Sequence, residues 1–283
     1  MNVTRFVIGA FLELPKQFRL SYLPPLLVYL AAGISGLTAI VGTFFIKDYL
    51  NLSAAFLAGL GFWAGLPWAL KMPLGHLVDL IWKHKNYMVY FGASIIAASL
   101  LIMHGLIGHT QTMATILPVE TWYVVSVILA PIGFVVQDVV ADAMTVEAVP
   151  KYETDGTAFS EKDIKTMHTT MQTLGRFAII SGSMLVALIN VVIFSGTETL
   201  NEEQRVALYA DVYVYALVIP LVSVLGVFLA KFLSYRTQKA ATLQEQDVPA
   251  KMTHKRNNTE INWSILLGLS LIHISEPTRP VMI

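Results

Sequence analysis

The chain has 283 residues, of which 55% are hydrophobic and only 13% charged, and its mean hydropathy is +0.62. A soluble domain carries about 25% charged residues, so this composition excludes an ordinary water-soluble globule. Lys plus Arg and Asp plus Glu stand at 19 each, which leaves no charge field for nucleic acid, and the absence of cysteine excludes a disulfide scaffold, a thiolate metal site and a Cys nucleophile.

Residues 1–20 contain a weak apolar stretch interrupted by Glu13, Lys16 and Arg19, with no small-residue cleavage site after it. This pattern reads as an amphipathic lead-in on the cytoplasmic face rather than a cleavable signal. A spanning helix needs roughly 20 mostly apolar residues. Six stretches qualify, at 22–46, 54–78, 87–107, 121–142, 167–194 and 209–232, giving a six-helix transmembrane bundle over residues 21–233. Each backbone group in lipid must be satisfied within its own segment, so helices are expected and not strands.

Positive charge in the short loops orients the bundle. Arg5, Lys16, Arg19, Lys83, Lys85, Lys151, Lys162, Lys165, Lys231, Arg236, Lys239, Lys251, Lys255 and Arg256 fall on one side, against Lys47 and Arg205 on the other. The N-terminus is therefore expected in the cytoplasm. Residues 234–262 are polar and mixed in charge and read as a flexible cytoplasmic linker. A seventh helix starts at Trp263, but Pro277 and Pro280 stop it before it can span. Residues 263–283 are thus expected to be a truncated helix with a non-native tail from about residue 270, which resembles translated adapter sequence; a natural short tail is the alternative.

The chemistry concentrates in the fourth span. Asp138 and Asp142 are four apart and share one helical face, which Thr145 continues, while Glu147 lies half a turn around and is expected at the water interface. An ionised carboxylate at mid-bilayer costs at least ~2.5–3.5 kcal/mol, so two on one face imply a protein or water-filled interior. The plainer reading is that both are wetted from the cytoplasm and merely end the helix. Lys71 in the second span and Arg176 in the fifth lie at similar depth. Buried charges need partners, so Asp138 and Asp142 are expected to face Lys71, Arg176 or both. A carboxylate that loses its cation becomes protonatable, a physical basis for proton coupling; a static ion-pair lock is the alternative. Pro67 and Pro73 bracket Lys71, and Pro131 with Gly133 precedes Asp138, breaks that suit a cavity. Gly33, Gly36 and Gly42 suit close helix contacts. His76, His84, His104, His109 and His168 have no metal-ligand spacing, and no cofactor motif, HExxH, P-loop or nucleophile elbow is present.

Gly75, Asp79, Lys83 and Lys85 follow the second span as Gly, three residues, Asp, then basic residues. This resembles the cytoplasmic loop signature of the major facilitator superfamily, in which the Asp caps a helix of the opposite half and helps lock one access state. Leu80 stands where the signature has Arg or Lys, and the second Gly is missing. Pro67-Trp68-Ala69-Leu70-Lys71-Met72-Pro73-Leu74-Gly75 resembles the folate–biopterin transporter branch. Gln137-Asp138, Asp142 and Glu147 resemble that branch and the muropeptide permease and acetyl-CoA transporter group, and Leu174-Gly175-Arg176 is similar to the muropeptide permease. The resemblance implies the six-helix N-terminal half of a secondary transporter in the cytoplasmic (inner) membrane, with a C-terminal half to follow. Its partners would be a small organic solute, protons and the lipid bilayer. Two rival functions stay open: an intramembrane enzyme of prenyl-diphosphate type, and a non-transporting accessory membrane protein. The first needs a denser Asp pattern than this one, where Ala141 and Val146 interrupt, and a second Asp-rich helix.

Overall fold

The structure is a computed structural model that describes residues 18–45, 52–153 and 157–245. The described residues are helical apart from their connections and one isolated bridge between Tyr152 and Ala158. Among the described residues, ten α-helices occur in chain order: α1 (Leu23–Ile34), α2 (Ala39–Phe45), α3 (Ala54–Ala69), α4 (Lys71–Leu80), α5 (Lys85–Gly108), α6 (Thr110–Ala114), α7 (Val119–Ala148), α8 (Glu161–Phe194), α9 (Glu202–Tyr215) and α10 (Val218–Glu245).

Local chemistry sets their ends. The prolines of α1 sit in its first turn, where a missing N–H leaves no gap in the ladder. Ser53 caps α3 by accepting from the Phe56 N–H at 3.2 Å, and Ser160 caps α8 by accepting from the Asp163 N–H at 3.2 Å. Asn201 and Gln204 form a reciprocal capping box at α9. The Ser160 cap starts α8 six residues before the expected span at 167, because Glu161 and Asp163 complement the helix N-terminus.

Among the described residues, five stretches are long and apolar enough to cross a membrane: Leu20–Thr43, Trp82–Gly108, Val119–Ala148, Glu161–Thr199 and Glu202–Arg236. The chain is a polytopic all-α membrane protein. The expected span at 54–78 differs in detail, because it is divided at Leu70 into α3 and α4. Pro67 and Pro73 remove the donors that the carbonyls of Trp63 and Ala69 would ordinarily receive, which breaks the ladder on both sides of Leu70. A second difference is at the far end. α10 runs on to Glu245, so residues 234–245, expected as the start of a flexible linker, are helical. Gln238, Lys239, Ala240, Ala241 and Leu243 are all good helix formers. Residues 1–17 of the expected lead-in, the remaining linker at 246–262 and the expected seventh helix and tail at 263–283 lie outside the described residues.

α5 packs along α7, α1 lies between α8 and α10, α9 packs on α5, and α3 with α4 lean on α7. Small residues allow the closest crossings. A Cβ on Gly92 would come within 2.7 Å of the Gly133 carbonyl oxygen, and one on Gly33 would strike the Ile179 carbonyl oxygen and the Gly182 Cα. Beside the Gly92–Gly133 crossing, the Ser99 hydroxyl donates to the Ser126 carbonyl at 2.8 Å and the Ser126 hydroxyl donates back at 3.0 Å. Buried Gln137 donates to the Val89 carbonyl at 3.2 Å and accepts from Ser223 at 2.9 Å, joining α7 to α5 and α10. Outward faces are apolar as well, with Ile180, Met184, Leu188 and Val192 exposed on α8 and Leu221, Leu225 and Phe228 on α10. An exterior of this kind belongs against lipid or further protein.

Candidate functional site

The Lys71 ammonium sits between two carboxylates of α7. Its Nζ lies 2.5 Å from Asp138 Oδ2 and 2.9 Å from Asp142 Oδ2. The break at Leu70 makes Lys71 the first residue of α4, so its side chain enters the bundle beside α7 rather than following the register of α3. On α7 the four-residue spacing stacks the two carboxylates on one face. Asp138 is the deeper of the two, its side chain 14% exposed against 49% for Asp142.

A third helix completes the cluster. The Tyr29 hydroxyl on α1 donates to Asp142 Oδ1 at 2.6 Å. Its ring lies against Gly175 of α8, where a Cβ would come within 2.9 Å of the ring atoms. Gly175 therefore makes the room that lets Tyr29 aim at Asp142. The sequence contained one signal for Tyr29: a phenol in an apolar span needs a hydrogen-bond partner. These side chains line a cavity of about 620 Å³ between α1, α3, α4, α7 and α8, into which Trp68, Gln172 and Arg176 also face. Arg176 is exposed there and makes no ion pair among the described residues. The structure thus joins Lys71, Asp138 and Asp142 directly and sets Arg176 on the same cavity without a bond to them.

Comparison with protein-family models, curated proteins and solved structures finds no match for this chain.

The loop residues lie at the end of the bundle where α1 and α5 begin and α7 ends. Asp79 and Lys83 are exposed and make no ion pair among the described residues. Gly75 meets only ordinary contact, since a Cβ there would lie 3.9 Å from Val139 Cγ1. Lys85 is different. Its Nζ binds Glu147 Oε1 at 2.6 Å and sits 4.3 Å above the Trp82 ring. The loop thereby clamps onto the C-terminal turn of α7, a pairing between two positions that sequence reasoning treated separately.

This clamp is lopsided. The Lys85 side chain is 9% exposed and that of Glu147 45%. Removing a partner costs most when the charge left behind is buried. Glu147→Gln is expected to destabilise the protein by about 1–3 kcal/mol, while Lys85→Met, which leaves a solvated carboxylate, costs under about 1 kcal/mol. Thermal unfolding in detergent reads the difference; equal losses would show that the ammonium is not the constrained partner.

Proposed function

We propose that this chain is the N-terminal bundle of a major-facilitator-type secondary transporter, which carries a small organic solute across the cytoplasmic membrane together with protons. The supporting observation is the Lys71–Asp138–Asp142 cluster on a solute-sized cavity inside an apolar bundle. Small-molecule sites commonly enclose about 300–1,000 Å³. One ammonium faces two carboxylates, so one carboxylate can take a proton without leaving Lys71 unpaired. A cation exchanged between two acids while one of them loads and releases a proton is a coupling element of the simplest kind. Access would alternate around this cluster as the bundle rocks against a second, pseudo-symmetric one. The exposed apolar face of α8 and the open side of the cavity at Arg176 suit cover by that second bundle. The loop charges favour a cytoplasmic N-terminus.

The test is solute uptake by proteoliposomes carrying the full-length transporter, with and without an imposed proton gradient. Folate-like, cell-wall-fragment and nucleotide-linked solutes are the first to try. Accumulation that follows the gradient is the expected result. Uptake indifferent to the gradient would remove proton coupling, and no uptake of any class would remove the transport reading. The 283-residue chain alone, with one wall of the pathway, is expected to give none.

A further inference from the structure

A second cavity, of about 730 Å³, opens at the loop end of the bundle between the starts of α1 and α5, the last turn of α7 and the polar part of α10. It is separate from the Lys71 cluster and shares no lining residue with that cavity. Its charged lining is Lys83, Lys85, Lys231 and Glu147. Glu147 is already committed to Lys85. Lys83 is exposed and without an ion pair among the described residues, and Lys231 has only the Tyr90 hydroxyl at 3.3 Å and the Tyr90 and Tyr87 rings at 5.3 and 6.0 Å. The cavity therefore keeps two ammonium groups whose charge no carboxylate among the described residues answers.

The surface next to it has the opposite character. Tyr87 and Phe91 of α5 and Leu225 and Phe228 of α10 are exposed and apolar, and Tyr90 joins the two helices, its ring 6.4 Å from Tyr87 and 6.1 Å from Phe228. Lys231 lies one turn from Phe228 along α10, so cations stand at the head of an apolar track on two adjacent spanning helices. Lysine over tyrosine at the end of a span is the arrangement of the headgroup level of a bilayer.

We infer that this cavity is a binding site for an anionic phospholipid, whose phosphate sits between Lys83 and Lys231 and whose acyl chains lie along the α5–α10 seam. Charge complementarity selects an acidic headgroup, and the adjoining apolar seam selects a lipid over a free phosphate. The inference requires only that the chain spans a membrane and is independent of the transported solute.

The experiment is native mass spectrometry of the purified full chain, released from nanodiscs of mixed phosphatidylglycerol and phosphatidylcholine. Wild type is expected to retain phosphatidylglycerol in preference to phosphatidylcholine. The double variant Lys83→Gln/Lys231→Gln is expected to weaken that retention about fivefold for each lysine removed, while Lys231→Arg keeps it. Lys162→Gln/Lys165→Gln, which removes the same charge from the first turns of α8, leaves it unchanged. Equal retention of both lipids, equal loss in the two double variants, or loss in Lys231→Arg with an unchanged unfolding midpoint would each overturn the site. Displacement of the lipid by equimolar glycerol phosphate would assign the cavity to a soluble anion and overturn the lipid.

Discussion

On the transport function proposed above, Asp138→Asn is expected to reduce gradient-driven accumulation to the level of empty vesicles, with insertion and folding intact. The asparagine keeps the shape of the side chain but can neither hold charge against Lys71 nor carry a proton. Lys71 still has Asp142 Oδ2 at 2.9 Å, so no buried ammonium is orphaned. Loss of uptake without loss of stability is therefore the signature. Lys71→Met behaves differently. It leaves two carboxylates on one helical face with no counter-ion, and like charges at this range disfavour each other. A fully buried pair broken in this way costs about 3–5 kcal/mol; with Lys71 39% exposed, about 1–3 kcal/mol is expected after discounting for solvent. The double variant Lys71→Met/Asp138→Asn is expected to recover stability and not uptake. Unfolding midpoints in detergent, measured beside proteoliposome uptake, separate the two effects. Normal uptake in Asp138→Asn removes the coupling role.

The second large effect concerns packing. Gly33→Ala is expected to destabilise the bundle by about 1–3 kcal/mol, because the new Cβ would strike the Ile179 carbonyl and lie 3.0 Å from the Gly182 Cα, both of them backbone. Neither helix can yield by turning a side chain, so α1 and α8 must separate. Gly36→Ala, three residues on, meets only Val186 Cγ1 at 4.0 Å and is expected to stay within about 0.5 kcal/mol of wild type. Equal midpoints for the two variants would show that the α1–α8 crossing tolerates a methyl group. The separation of α1 from α8 would also move Tyr29 off Gly175, so Gly33→Ala is expected to loosen the Asp142 contact.

Apolar run length carries most of the architecture into the sequence, since lipid admits few alternatives to a helix. The division of the second span was half legible: Pro67 and Pro73 marked it, but which residue between them leaves the helix depends on packing against α7. The helical start of the expected linker was missed because Thr237 to Glu245 is polar, and polarity was read as disorder where helix propensity prevails. Within the site, the stacking of Asp138 over Asp142 follows from spacing alone. The nearness of Lys71 follows from the cost of an unpaired charge. Tyr29 was legible as the third member only through its phenol, a weak signal because an aromatic residue in an apolar run points to lipid or core before it points to a hydrogen bond. The Lys85–Glu147 clamp joins positions 62 apart, and no local pattern connects a loop lysine to the end of a distant helix.

The joint at Leu70 has a geometric meaning for the membrane itself. α3 has 16 residues and α4 has 10, hence lengths of about 24 and 15 Å at 1.5 Å per residue. Neither reaches across a hydrocarbon layer of ~30 Å. Only laid end to end are they long enough to cross it, with Leu70 between them. Trp68 and Lys71, on either side of the joint, both line the cavity that holds the ion cluster. The joint and the ion cluster therefore border one cleft, so whatever closes that cleft acts on both.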